Sequence, residues 1–390
     1  MDIQQLSNEA REEESRRYTL SNEEAKKIFE EDIKPRYFNS SLKSQEKPDL
    51  VLVGGQPAAG KTLPLLKNKQ KFQDKGGVLI INGDDFRGAH PKIEQIKADH
   101  GKKYAFYTDK DSGRWVEMMI KEAQEQKVNV ILEGTMRRPE VTLNTAKEFN
   151  SNGYEIHASI IAVKPQESWL GVHERFERMM SENPNDPRYA QKNSHDISVQ
   201  GLTKTVAEIE DSKIFKSIEI TSRKGEVLYE NKMESDSWEK QPNASQTLSD
   251  FHKEPLTNKE KSNLSDRWQA VIDQMEQRGE SSKDIAQIKN YKKDMELEGR
   301  QEPKLGRDYI GTVIEVNENT SIQKTPTGKI IEHENSKLER VPEETKNYKI
   351  AYAENGKASV NDYVQRESKQ IEQNTQVEQE KSNTNQSFER

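Results

Sequence analysis

The chain contains no cysteine. That excludes disulfide staples, thiolate zinc sites and a cysteine nucleophile, and it fits a reducing, cytoplasmic setting. Long apolar runs are missing as well. None approaches the roughly 20 residues that a membrane-spanning helix needs, and the opening MDIQQLSNEAREEESRRY lacks the apolar stretch of a secretion signal. Hydrophobic residues make up 31% of the 390, against 33% charged, so part of the chain is expected to stay outside any packed core. Excess positive charge is also lacking. With a formal net charge of −7, broad binding to nucleic acid or a membrane surface is disfavoured, and an anionic ligand requires a local group of cations.

What is present is unevenly spread. Residues 20–37, LSNEEAKKIFEEDIKPRY, read as a helix with Ser21 as N-cap, Glu24 three residues on and Pro35 closing it. Short apolar runs follow: DLVLVGG (49–55), GVLIING (77–83), VNVILEG (128–134), EIHASIIAV (155–163) and KSIEIT (216–221). Segments of helical length, such as RWVEMMIKEAQEQK (114–127), separate them. This alternation predicts an α/β fold, a parallel sheet flanked by helices, over residues 20–235, behind an N-terminal extension 1–19. Residues 236–306 read as a polar linker, with weakly apolar helices over 264–300. From 307 to 361 the alternating runs YIGTVIEV and NYKIAYA, around the turns TPTG and ENGK, predict a small β domain. The Gln-, Asn- and Glu-rich residues 362–390 read as disordered.

Chemistry first appears after the first strand. Gly55, Gln56, Pro57, Ala58, Ala59, Gly60, Lys61 and Thr62 form the pattern G-x-x-x-x-G-K-[ST]. The glycines let backbone N–H groups turn around phosphates, the next helix presents its positive end, Lys61 reaches the terminal phosphate, and the Thr62 hydroxyl suits Mg²⁺. The second strand ends in INGDDFRGAHP, so Asp84 or Asp85 lies at the ligand edge of the sheet, ready to take a proton or help hold metal. Strand alternation sends only one of the two into the site. The third strand ends in ILEGTMRRPEV, where alternate spacing points Glu133, Thr135 and Arg137 the same way along extended backbone. Further on, HERFERMMSENPNDPR carries Arg175, Arg178 and Arg188, suited to closing over a triphosphate. His195 and His333 read as surface or structural residues. No histidine pair at ligand spacing supports a metal centre beyond nucleotide Mg²⁺.

Taken in order, GGQPAAGKT, INGDDFRGAHP, WVE (115–117), LEGTMRR, GYEIHASIIAVKP, ERFE, NPNDPR and HD (195–196) resemble the zeta toxin family over about residues 20–235. These are P-loop kinases that phosphorylate UDP-N-acetylglucosamine. The resemblance implies that Lys61 and Thr62 serve ATP and Mg²⁺, and it selects Asp84 as the base that activates the sugar 3′-hydroxyl. It places Glu117, Glu133, Thr135, Arg137 and Thr145 against the nucleotide sugar, with Arg175 and Arg188 clamping phosphate. It further implies a separate small antitoxin as partner, unless the helices at 264–300 inhibit in cis. Two departures stand out. Ala58-Ala59 replaces a glycine followed by a small residue, a mild backbone restriction. Asp85 replaces a small hydroxyl residue, and its charge is expected to raise the pKa of Asp84 or to draw metal.

Residues from about 307, with HENSKLERVP and Gly311 to Val316, resemble the KfrB-like domain of plasmid-borne and mobile-element proteins. Three other readings remain at this stage: a kinase of NAD-like or other small molecules, a non-catalytic module of a conjugation or plasmid-partition assembly, and a nucleic-acid kinase.

Overall fold

The computed structural model describes residues 13–182, 184 and 188–363. The apolar runs of the first half become strands, and their alternation feeds two cores. In β1 (Asp49–Gly54), Leu50 and Leu52 join the main core, while Val51 and Val53 pack with Phe72 and Ile131 in a separate cluster. A strand buried on both faces calls for helices on both faces. β2 (Leu79–Asn82), β3 (Val130–Gly134), β4 (Glu155–Ala162) and β5 (Phe215–Ser222) complete the parallel part of the sheet. Its order is β2-β3-β1-β4-β5, continued by antiparallel β6 (Val227–Glu234) and the short β7 (Ser237–Trp238). The Thr62–Lys71 helix covers one face, where Asn68 donates to Ser159 Oγ at 3.1 Å. Trp115, Met119, Phe149, Leu202 and Val206 fill the other.

The first helix departs from its simple reading. Its capping box is complete, with Ser21 and Glu24 exchanging hydrogen bonds, but the α-helix stops at Ile28. A π-turn, Phe29–Ile33, follows, and Pro35 then begins the last turn, Lys34–Tyr37. The wider turn accommodates a residue that lacks an N–H.

The chain divides into two compact units. The first comprises residues up to 254 together with 263–289. The stretch read as a polar linker is therefore largely folded: β6 and β7 are followed by the helices Ala244–Lys253 and Asn258–Gln277. Within the first unit Leu264, Trp268, Val271, Ile272 and Met275 are buried. The second unit, residues 255–262 and 290 onward, holds an antiparallel five-stranded sheet. Its order is β10-β9-β8-β11-β12, from β8 (Asp308–Val316), β9 (Thr320–Lys324), β10 (Ile330–Glu334), β11 (Asn347–Tyr352) and β12 (Ala358–Asp362). Val313, Tyr348, Ile350 and Val360 form its core. The tail expected to be disordered lies, from 364 onward, outside the described residues. Among the described residues, no helix is long and apolar enough to cross a membrane.

Candidate active site

The C-terminal ends of β1, β2 and β3 meet at one edge of the sheet, where doubly wound folds bind ligands. From β1 the chain turns through Gly55–Lys61 into the Thr62–Lys71 helix. Gly60 turns with φ +93°, open only to glycine without strain. Ala58 adopts φ +58° despite its side chain, so the departure noted in the sequence does carry backbone strain, of about 1 kcal/mol. Lys61 Nζ folds back onto the Gly55 and Gln56 carbonyls at 3.1 and 3.4 Å and stands 3.9 Å from Glu133 Oε1. Burial lowers its pKa, offset in part by Glu133. The Thr62 hydroxyl is exposed at the start of the helix.

β2 ends at Asn82, and the two aspartates lie on a helical turn, Gly83–Phe86, not on a strand. Asn82 caps this turn by accepting the Asp84 N–H at 3.0 Å, and its amide reaches Glu133 Oε2 at 3.3 Å. Strand alternation therefore does not separate the aspartates. Asp84 accepts from Arg87 Nε at 2.9 Å, while Asp85 lies 3.7 Å from Arg188. Burial opposes ionisation of Asp84, but Arg87, Arg188 and Arg175 outweigh it and hold the carboxyl below its ordinary range. The shift is thus opposite to the rise expected from Asp85. Asp85 itself is pushed up, by burial and by the Asp84 charge. Arg87 is further held by the Ala105 carbonyl at 2.6 Å, Thr108 Oγ1 at 2.9 Å and Asp109 at 2.9 Å.

Burial, and then the charges of Asp85 and Asp84, raise the pKa of Glu133, against the pull of Lys61. β3 ends one residue later, and Met136 takes φ +49°, so the extended alternation expected for Glu133, Thr135 and Arg137 is broken. The loop instead seats on the Lys192–Ser212 helix. Thr205 Oγ1 donates to the Met136 carbonyl at 2.6 Å, and Arg137 Nη1 donates to Ser194 Oγ at 3.2 Å. Gly201 is required there, because a Cβ would collide with the Arg137 carbonyl.

Arg175 projects from the Pro165–Glu182 helix toward the same charges. Burial lowers its pKa, with Asp84 and Glu133 opposing, and its buried Nε has no hydrogen-bond partner among the described residues. A buried guanidinium N–H left unpaired is costly, and it fits a site built for an anion supplied from outside.

Of the residues expected from sequence, the structure gathers Lys61, Asp84, Glu133, Arg175 and Arg188, with Asp85 beside them. Among the described residues, no hydrogen bond or ion pair joins Glu117, Thr135, Arg137 or Thr145 to this group. Glu117 is exposed on the Tyr104–Gln126 helix, one turn beyond Ser112, which donates to the Gly83 carbonyl at 2.6 Å. Thr135 makes no hydrogen bond among the described residues, and the Thr145 hydroxyl bonds the Val141 carbonyl of its own helix at 3.0 Å.

Sequence reasoning missed two arginines. Arg87 lies three residues after Asp84, a spacing that pairs side chains on a helical turn. Arg223 extends over the P-loop, its Nε 3.5 Å from where a Gly60 Cβ would stand, and pairs with Glu167 at 3.1 Å. Nothing in SRKGEV distinguishes it from an ordinary turn arginine. His195 and His333 are both fully buried, so they are structural and not surface residues. Away from this edge, Asp49, Glu155 and His157 bring their ligand atoms within 4.8 Å of one another. His157 is already bonded to Ser217 and Asp49 at 2.8 and 3.2 Å, which accounts for that group without an ion.

A family model described as "KfrB Domain" matches residues 308–362, and one described as "Zeta toxin" matches residues 35–234. The chain is 34% identical to Toxin PezT of Streptococcus pneumoniae over 197 residues, 50% of this chain and 77% of PezT. It is 32% identical to Toxin zeta of Streptococcus pyogenes over 187 residues, 48% of this chain and 64% of that toxin. A structure from the characterisation of the PezAT chromosomal toxin-antitoxin system of Streptococcus pneumoniae superposes with TM-score 0.55 and 27% identity, over 68% of this chain and 100% of the other. With the matched segment spanning half the chain and carrying the P-loop and its surrounding charges, this protein belongs to the zeta toxin family.

Proposed function

We propose that this protein is an ATP-dependent kinase that transfers the γ-phosphate to the 3′-hydroxyl of UDP-N-acetylglucosamine, in the cytoplasm, as a toxin checked by a separate small antitoxin. One observation carries the kinase reading: Lys61, Arg175 and Arg188 converge with Asp84 and Glu133 beside the P-loop, and the buried Arg175 Nε has no partner among the described residues. Phosphoryl transfer asks chiefly for positioning and charge neutralisation. Lys61 and the two arginines supply cations for the transferred group. Asp84, kept ionised by its arginines, accepts the proton of the acceptor hydroxyl as that oxygen bonds to phosphorus and ADP departs. Thr62, at the start of the helix after the P-loop, would be the hydroxyl that holds Mg²⁺, whose charge would help to neutralise the phosphates. The nucleotide-sugar acceptor and the roles of Glu117, Thr135, Arg137 and Thr145 rest on family membership. So does the antitoxin, since PezT comes from a toxin-antitoxin system.

Purified protein with ATP, Mg²⁺ and a panel of acceptors tests the reading. The expected result is 3′-phosphorylated UDP-N-acetylglucosamine, absent with Lys61→Ala. Transfer to a different acceptor would replace the sugar and keep the kinase; no transfer to any acceptor overturns both.

A further inference from the structure

The pair of buried His195 and half-exposed Asp196 has no part in the chemistry above, yet it connects to the P-loop. The His195 ring is fully buried. Its Nδ1 lies 3.0 Å from Asp196 Oδ1, and its Nε2 lies 2.8 Å from Ser168 Oγ. Ser168, also fully buried, receives Gln56 Nε2 at 3.2 Å. Gln56 is a P-loop residue with no solvent exposure, and its amide also donates to the Val163 carbonyl at 2.7 Å. At the far end Lys192 grips both Asp196 oxygens at 2.6 Å.

The polarity of this chain follows from its ends. A carboxylate only accepts, so His195 Nδ1 carries the hydrogen and Nε2 of the neutral ring is an acceptor. The Ser168 hydroxyl then accepts from the Gln56 amide and has two acceptors for its one hydrogen, Nε2 at 2.8 Å and the Pro165 carbonyl at 3.1 Å, of which the ring is the nearer. Burial, which lowers the pKa of His195 against the pull of Asp196, supports the neutral ring. The order Ser-His-Asp matches that of a hydrolytic triad, but no acyl group can reach a fully buried hydroxyl that is already occupied. What lies beyond the serine is the phosphate cradle: the Gln56 and Gly55 carbonyls hold Lys61 Nζ.

We propose that His195, acting through Ser168, is a positioning residue that fixes Gln56 and thereby the P-loop for its triphosphate. The proposal rests on the nucleotide reading of the site. It predicts a defect confined to the nucleotide, because the relay ends on the loop and leaves the acceptor side untouched.

The test uses the full chain and measures binding of the non-hydrolysable analogue AMP-PNP with Mg²⁺, together with KM for ATP and for the acceptor. Ser168→Ala is expected to weaken AMP-PNP binding about tenfold, the scale of one buried hydrogen bond, and to raise KM for ATP while leaving the acceptor KM unchanged. His195→Ala should do the same, and His195→Gln, whose Oε1 can still accept the Ser168 hydroxyl, should recover most of the loss. The Ser168→Ala/His195→Ala pair should be no weaker than the worse single variant. Wild-type AMP-PNP binding in Ser168→Ala overturns the proposal, as do equal losses for both substrates or additive effects in the pair. If His195→Ala fails to fold, Ser168→Ala decides alone. Lys61→Ala separates the two layers of the argument. If it binds AMP-PNP as wild type does, the nucleotide reading itself fails; if it loses binding while Ser168→Ala does not, only the relay fails.

Discussion

Asp84 shows how a single carboxylate is tuned by its neighbours. Its removal from water disfavours the anion, and the Arg87 guanidinium at 2.9 Å restores it. Bonded at Oδ1, Asp84 keeps its other oxygen for an acceptor hydroxyl. Asp84→Asn is therefore expected to lower turnover at least about a hundredfold, the usual weight of a general base. Arg87→Met tests the tuning. Removing the cation destabilises the anion, so the Asp84 pKa rises and activity is lost at a higher pH as the solution is acidified. The acid limb of kcat/KM should move upward in this variant, and coincident pH profiles would exclude Arg87 from the tuning. The sequence made both aspartates legible as site residues, but not their geometry. Strand alternation fails where Asn82 caps a helical turn, and the unremarkable FRG hides the arginine that Asp84 depends on.

Elements differ in how openly they announce themselves. The five parallel strands are legible because runs such as VLVGG and VNVILEG are apolar on both faces, as a covered sheet demands. The Asn258–Gln277 helix is legible as a helix from 264 onward but not as part of the first unit, since its polar majority masks a narrow stripe. Leu264, Trp268, Val271, Ile272 and Met275 recur at helical spacing, a signal that periodicity could have found. That stripe serves the helix carrying Arg175. Trp268 stands with its ring 5.3 Å from that of His173, Arg267 forks onto Glu174 at 2.7 Å, and Arg278 onto the buried Glu177 at 2.8 and 3.0 Å. Trp268→Ala should cost about 3–5 kcal/mol of stability in denaturant unfolding, the scale of a truncated core aromatic; a cost near zero would return this helix to the status of a linker. The second sheet has its own test. His333, stacked on Tyr352 and bonded to Tyr352 and Gln323, has its pKa lowered by burial to about 4. Its folded state disfavours the proton, so stability is present above pH ~6.5 and falls by about 3 kcal/mol toward pH 4. Exchange protection of β9 and β10 amides, corrected for intrinsic rate, should decline over that window and stay level in His333→Phe.

At the scale of the whole molecule, a chain of net charge −7 receives an anion because its cations are placed, not numerous. Lys61, Arg87, Arg175 and Arg188 are gathered with Asp84, Asp85, Glu133 and Asp109, so the chain's negative excess is cancelled one for one around the P-loop. The same logic of placement bears on where the chain can be cut. The sequence suggests a kinase ending near 235 and a detachable remainder, but the first unit reclaims residues 263–289 from beyond that boundary. A chain stopped after 240 would lose Leu248, Trp268 and Met275, all buried in the first unit, and leave the carboxylate of Glu177 buried without Arg278. Breaking such a pair costs several kcal/mol, a large share of the whole stability of a domain. A chain stopped after 297 keeps every one of these groups. The shorter product is expected to unfold at lower temperature and to lose phosphotransfer, the longer one to keep most of both. Released activity in the chain stopped after 240 would make these helices inhibitory in cis, whereas its loss there and retention after 297 identify them as part of the kinase itself.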